Sequence, residues 1–391
     1  MRQVYMDYSA TTPVKEEVLQ EMLPYFTEKF GNASSIYSTG RQAKHDMDAA
    51  RKRIADRLHC APEELYFTSG GSEADNWAIK GIAKARKSKG NHIITSKIEH
   101  HAVLHVCETL EKEGFEVTYL DVDDKGLVDP KAVEAAITDQ TILITIMYIN
   151  NEIGTIEPIV EIGEIAKKHS IVFHTDAVQA LGNLQIDLSK LPVDLMSFSA
   201  HKIYGPKGVG ALYIRKGIRM PNLIEGGAQE RRRRAGTENV AGIIGFAKAV
   251  EVAYDHFDQH VERLVFLREK LINGLVEAIP DTRVSGDRVQ RHPGNVHVCF
   301  KYIEGESILL SLDMMGIAGS SGSACTSGSL DPSHVLMAIG LGHDIAHGSL
   351  RLTIGDFTTE DDIDYILEQL PPIIDRLRRM SPLYEEAKGA K

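Results

Sequence analysis

Ser197-Phe198-Ser199-Ala200-His201-Lys202-Ile203-Tyr204-Gly205-Pro206-Lys207-Gly208 ends an apolar run with a lysine set among hydroxyl, imidazole and glycine residues. Most lysines near strand ends are solvated, because charged side chains are almost never fully buried unless paired. Here the neighbours supply a reason for the lysine. Ser199 and His201 can donate hydrogen bonds to an anion, and Gly205, Gly208 and Gly210 permit tight backbone turns. A lysine activated beside such a pocket is a candidate Schiff-base amine, which makes Lys202 the first residue to follow.

Outward from it, residues 195–198 are one of a series of short apolar runs at 93–95, 117–120, 142–148, 171–173 and 211–214. Helical patterns such as 73–85 and 130–137 lie between them, and residues 14–26 carry Val14, Val18, Leu19, Met22, Leu23 and Phe26 at helical spacing. Alternation of this kind predicts an α/β fold with a mainly parallel sheet covered on both faces. Past about residue 255 the texture changes to a long amphipathic helix, 261–279, and an alternating strand, 295–302. Helices near 306–315, 333–339 and 360–379 and a strand at 349–354 complete an expected smaller α+β domain.

With 391 residues, 43% hydrophobic and 25% charged, the chain has material for two domains. A net charge of -11 disfavours a general nucleic-acid or anionic-membrane binder, and only Arg231 to Arg234 forms a basic run. The first residues lack a signal-peptide pattern and no apolar run is long enough to span a bilayer, so a cytoplasmic location is expected. Cys60, Cys107, Cys299 and Cys325 are far apart with no C-x-x-C pair, so reduced thiols are expected and no resident metal.

Four further segments bear chemistry. Thr68-Ser69-Gly70-Gly71-Ser72-Glu73 turns from a strand into a helix with small residues, as an anion site would; a Ser N-cap explains it equally well. Asp176 closes an apolar strand, where open α/β sheets bind ligands, although an Asp helix cap reads the same way. Glu99-His100-His101 follows another strand, and an imidazole there can stack on a flat ring or exchange protons; His101 and His105 at i,i+4 lack a third metal ligand. Gly319-Ser320-Ser321-Gly322-Ser323-Ala324-Cys325-Thr326-Ser327 sets Cys325 among small residues, which favours a reactive thiol over a core one. Arg351, within a strand, is a candidate carboxylate fork or a surface ion-pair partner.

In this order the motifs resemble the fold-type I pyridoxal-phosphate enzymes and, among them, the NifS/IscS-like class I cysteine desulfurases. The likeness runs from Tyr5-Met6-Asp7-Tyr8-Ser9-Ala10-Thr11-Thr12-Pro13 through Ser199-Ala200-His201-Lys202 and Arg234-Ala235-Gly236-Thr237-Glu238-Asn239 to Ser320-Ser321-Gly322-Ser323-Ala324-Cys325. It covers nearly the whole chain, with Tyr37 standing where family members often carry His.

The resemblance implies a seven-stranded, mainly parallel sheet sandwiched by helices, in a large domain over residues 15–254. Residues 1–14 and 255–391 would form a small domain carrying the catalytic-cysteine loop at about 319–331. It further implies pyridoxal phosphate bound covalently by Lys202, with His100 stacked on the ring, Asp176 on its nitrogen and Gln179 on its phenolic oxygen. Gly71, Ser72, Ser199 and His201 would hold the phosphate, with Thr237 supplied by the second subunit of a homodimer. Asn151 and Arg351 would hold the carboxylate of L-cysteine. Lys202 and His100 would handle protons, and Cys325 would take the sulfur as a persulfide and leave alanine. The expected acceptors are an iron–sulfur scaffold, with a transient cluster contact at Cys325, or another sulfur-accepting protein. A selenocysteine lyase, another aminotransferase-like enzyme, or a non-enzymatic thiol scaffold are the alternative readings.

Overall fold

The computed structural model describes residues 2–322, 332–382 and 384. Its strands are β1 (Val4–Tyr5), β2 (Leu65–Thr68), β3 (His92–Ser96), β4 (Glu116–Leu120), β5 (Thr141–Thr145), β6 (Val172–Asp176), β7 (Leu195–Ser199), β8 (Gly210–Ile214), β9 (Thr282–Val284), β10 (Asn295–Phe300), β11 (Ile317–Ala318) and β12 (Ser349–Thr353).

Seven of them form the main sheet in the order β2-β8-β7-β6-β5-β3-β4. The pairs β7–β6, β6–β5, β5–β3 and β3–β4 are parallel, and β8 lies antiparallel to both β2 and β7. Successive side chains leave a strand on opposite faces, and here both faces are apolar. Ile94, Ile144, Phe173, Met196 and Tyr213 join one core with the Ser38–Leu58 and Val240–Asp255 helices. Their neighbours Ile93, Leu143, Val172, Leu195 and Leu212 join another with the Gly71–Arg86 and His101–Lys112 helices. A sheet buried on both sides reads as continuous apolar runs, which is why these strands stand out in the sequence.

A third core gathers Val4 and Met6 with β10, β12 and the Phe257–Ala278, Gly305–Met314 and Glu360–Arg379 helices. A small fourth cluster, including Ile98, Met147, Ile153, Leu336 and Ile339, lies between the loops beyond β3 and β5 and the His334–Ala338 helix. The site described below sits beside it.

The structure departs from the sequence reading at 14–26, where two helices, Glu16–Met22 and Pro24–Thr27, replace one. Pro24 has no N–H to give, so the chain restarts its helix there. Two arginines of the basic run, Arg231 and Arg234, are accounted for. Arg231 donates to the Leu65 carbonyl at the outer edge of β2 (2.6 Å), and Arg234 forks onto Glu73 (2.8 and 2.9 Å). Glu230 is buried against Arg51 and accepts from the Phe67 N–H. Arg51, Arg231 and Glu230 thereby cap an edge strand that would otherwise expose its backbone.

Candidate active site

The chemistry-bearing residues collect where the strands of the main sheet end. β6 delivers Asp176; β7 delivers Ser199 and then, through one turn of 3-10 helix, His201 and Lys202. The loop beyond β3 brings His100, and the loop beyond β5 brings Asn151. Ser9 and Ala10 come from the N-terminal segment, and Ser320 and Arg351 from the elements of the third core. Together with Gly71, Ser72, Asp75 and Gln179 they enclose one cavity of about 510 Å³. Crevices beyond the carboxyl ends of strands are the ligand sites of open α/β sheets.

One end of the cavity suits an anion. The Gly71–Arg86 helix starts from Gly70 with no side-chain cap, so its first N–H groups are left to a ligand. Ser72 therefore lies inside the first turn, and the Ser N-cap reading is wrong. Gly70 takes φ +156°, a conformation that suits glycine, and a Cβ on Gly71 would come within 2.5 Å of Val178. Ser199, His201, Lys207 and Gly208 line the adjoining opening. His201 bonds Thr11 Oγ1 at 3.1 Å and is pushed down to about 4 by burial and by Lys202 and Lys207, so it is neutral near pH 7.

The centre holds Asp176, whose Oδ1 accepts the Val178 N–H at 2.9 Å. It caps no helix. Burial pushes its carboxyl up to about 6, against the pull of the Val178 N–H and Lys202, so it is charged at neutral pH and loses that charge as pH falls through about 6. Lys202 Nζ donates to the backbone carbonyls of Ser9 and of Ala10, the latter at 2.7 Å. Gln179 Nε2 reaches the same Ser9 carbonyl at 3.1 Å.

His100 does two things. Its Nδ1 accepts the Ala102 N–H at 3.1 Å and so caps the His101–Lys112 helix. An accepting Nδ1 places the ring proton on Nε2, a tautomer assigned from the hydrogen-bond network. Burial, with the charge of Lys202, pushes the imidazole down to about 4, so it is a neutral N–H donor near pH 7.

The far end suits a carboxylate. Arg351 is buried, with Nη2 on Asp7 Oδ1 at 2.9 Å and Nη1 on the Asn151 carbonyl at 3.1 Å, while Nε is a buried donor with no partner among the described residues. An acceptor from a ligand would satisfy it. The surface-ion-pair reading of Arg351 is thereby excluded. Thr237 is exposed and outside this cavity's lining, and Cys325 lies outside the described residues.

Asp7 and Asp75 went unassigned in the sequence reading. Helical spacing offered one signal: Asp75 lies three residues after Ser72, on the same face of the helix. Nothing local marked Asp7, whose partner is 344 residues away.

Uncapped helix N–H groups, a buried carboxylate with one N–H partner and a lysine between them fit a flat phosphorylated aromatic aldehyde, as pyridoxal phosphate is. The comparisons with known proteins agree with this. The profile of the aminotransferase class-V family matches residues 4–366. The chain is 59% identical to a cysteine desulfurase IscS from Clostridium botulinum over 387 residues, 98% of each chain. Among solved structures it is similar to a NifS-like protein (TM-score 0.91, 38% identity, 96% of this chain and 100% of that one). It is also similar to SspA in complex with cysteine (TM-score 0.81, 38% identity, 91% of this chain and 100% of that one). With its fold-type I architecture and its match over nearly the whole length, the chain belongs to the aminotransferase class-V family, among the NifS/IscS-like cysteine desulfurases.

Proposed function

We propose that this protein is a pyridoxal-phosphate-dependent cysteine desulfurase that moves the sulfur of L-cysteine onto Cys325. The observation that carries this reading is the meeting of Lys202, Asp176, an uncapped helix start and the Arg351 guanidinium around one cavity. Bound pyridoxal phosphate supplies an electron sink that lets bonds at Cα and Cβ of an attached amino acid break.

The protein's own residues do the rest. Gly71, Ser72, Ser199 and His201 hold the phosphate, with Thr237 of a second copy completing it in a homodimer; the exposed Phe26, Phe30, Ile36 and Tyr37 offer apolar surface for such pairing. Asp176 and Gln179 would orient the ring, and His100 would stack on it. Arg351 and Asn151 hold the substrate carboxylate. Lys202 anchors the cofactor and, once displaced, its amine takes the Cα proton. The Cys325 thiolate attacks the substrate sulfur: an S–S bond forms, the Cβ–S bond breaks, and the electron pair left on carbon is protonated to give alanine. Cysteine and one protein thiol become alanine and one persulfide, so no outside oxidant enters.

The two cores on the faces of the main sheet draw on residues 18–250 and the third core on Val4, Met6 and residues 264–374, which supports a large domain at 15–254 and a small one from 1–14 and 255–391. Among the described residues no helix is long and apolar enough to cross a membrane. A cytoplasmic enzyme handing its persulfide to an iron–sulfur scaffold or another acceptor protein fits this reading.

The test is to supply L-cysteine to the loaded enzyme and quantify alanine and protein persulfide together. One alanine per persulfide in the first turnover is expected. Formation of a keto acid instead would make the protein an aminotransferase, and turnover of selenocysteine alone would make it a selenocysteine lyase.

His100 permits a sharper prediction, because its cap and its chemistry can be separated. His100→Asn keeps a good N-cap residue and removes the imidazole. The expected result is a melting temperature close to that of the parent with kcat/KM lowered by about 10²-fold or more. An unchanged kcat/KM in this variant would reduce His100 to a helix cap.

A further inference from the structure

Below the cavity lies a row of buried polar groups that the proposed reaction does not use. Thr145 Oγ1 bonds His174 Nδ1 at 2.8 Å, and His174 Nε2 bonds Ser197 Oγ at 3.0 Å. Ser197 bonds the carboxyl of Asp75 in turn. The hydroxyls can all point one way, from Thr145 through the neutral imidazole and Ser197, so that the chain ends on Asp75 as acceptor. His174 has no exposure, and burial pushes it down to about 3, so it brings no positive charge to the row.

Asp75 itself is 1% exposed, and its other oxygen, Oδ1, has no hydrogen-bond partner among the described residues. That oxygen lies 3.6 Å from His174 Nε2, and Asp75 lines the same cavity as Asp176. Ser197 is the direct cross-strand neighbour of Asp176, so the two aspartates flank one position of the sheet. A second buried carboxylate with a bare oxygen beside the first is disfavoured without compensation, because a low-dielectric interior penalises an unpaired charge. A proton on Oδ1 removes the charge and leaves Ser197 its acceptor.

We propose that Asp75 is a second, proton-holding carboxyl of the pocket floor, a positioning residue that leaves Asp176 as the floor's single anion. This rests on the cofactor reading of the site. The groups that face Asp75 agree with it. Burial raises its proton affinity first, the charge of Asp176 raises it further, and Glu99 adds to this, while the Ser197 hydrogen bond opposes. Asp176 has Lys202 and the Val178 N–H to hold its charge. The pair therefore keeps one proton, and Asp75 keeps it, by the logic of two carboxyls that cannot both ionise at close range. A cofactor ring nitrogen would then meet one negative charge, matched to its own single positive charge.

Glu99 is buried and pushed up to about 8, so the test must tell aspartate from glutamate. Infrared spectra of the full-length protein carrying [4-13C]aspartate do so, recorded from pH 5 to 9 before and after pyridoxal phosphate is added. The parent is expected to show an isotope-shifted band of a protonated aspartic acid at pH 7.5, and Asp75→Asn is expected to lose it. In Asp176→Asn the band is expected to remain at low pH but to vanish at a pH lower by about one unit or more, because the neighbouring charge is gone. Survival of the band in Asp75→Asn, or an unmoved edge in Asp176→Asn, would overturn the proposal; the second variant decides it even if the first does not fold. The bands are read without turnover, so alanine release on the same samples tests the desulfurase reading separately.

Discussion

Lys202→Ala is expected to lower alanine release from L-cysteine by about 10³-fold or more while leaving a folded protein that still takes up pyridoxal phosphate. The size follows from two roles lost together, the covalent anchor and the amine that moves the Cα proton, the second alone being worth 10²- to 10⁴-fold. Folding should survive. Lys202 spans the gap to the Ser9 and Ala10 carbonyls, and losing those bonds costs about 1–3 kcal/mol. Asp176 and the uncapped start of the Gly71–Arg86 helix remain to hold the cofactor without a covalent link. Lys202→Arg separates charge from chemistry, because a guanidinium keeps the positive charge and the donors but does not act as a nucleophilic amine at neutral pH. It is expected to be as inactive as the alanine variant. Steady-state alanine formation, with a thermal melt alongside, decides; a Lys202→Arg enzyme retaining a tenth of the parent rate would sink the assignment.

Cys325→Ala is expected to keep cofactor binding and thermal stability and to lose persulfide formation and sulfur delivery by at least about 10³-fold, as removal of a nucleophile commonly does. The argument is chemical. Once the Cβ–S bond is to break, the sulfur needs an acceptor that donates an electron pair to it, and a thiolate does this where a thiol does not. The other cysteines are poor substitutes. Burial pushes Cys60 and Cys107 up to about 12 and Cys299 up to about 11, so all three are neutral thiols near pH 7. None of them lines the cofactor cavity. Mass analysis of the intact protein after one turnover locates the extra sulfur. Sulfide release undiminished in the Cys325 variant would falsify the nucleophile assignment, and a persulfide on Cys60, Cys107 or Cys299 would move it to another residue.

Several elements were legible because their causes are local. The strands β3 and β5 to β8 announce themselves as short apolar runs, since each is covered on both faces; β4, at the sheet edge, is only half-buried. The Glu360–Arg379 helix shows its bounds through a Thr359 cap with Asp362 and an apolar stripe of Ile363, Ile366, Leu370 and Ile374. Others were silent. The first half of the Val240–Asp255 helix is buried all round, with Ala241, Gly242, Ile243, Ile244, Gly245 and Phe246 in succession, so no polar face there sets a period. The Ser38–Leu58 helix buries a thin stripe of Ala43, Met47, Ala50 and Ile54 under many charges, a weak signal for the longer pattern it carries. Arg51 inside that stripe looks like an error until Glu230, 179 residues away, is seen against it.

The sequence by itself determined which side chains are available for chemistry and that they stand at strand ends: Lys202, Asp176, His100 and the serine and glycine turn at Ser69 to Ser72. Those are consequences of short-range order, periodicity and turn preference, which neighbours in the chain share. What only the tertiary structure decided is the state those side chains are in. The Nδ1 of His100 is spent on a helix, Arg351 is held by Asp7 from the other end of the chain, and Asp75 lines the same cavity as Asp176, whose charge raises its proton affinity. Charge and protonation depend on burial and on partners brought from far along the sequence, and no local pattern carries that information.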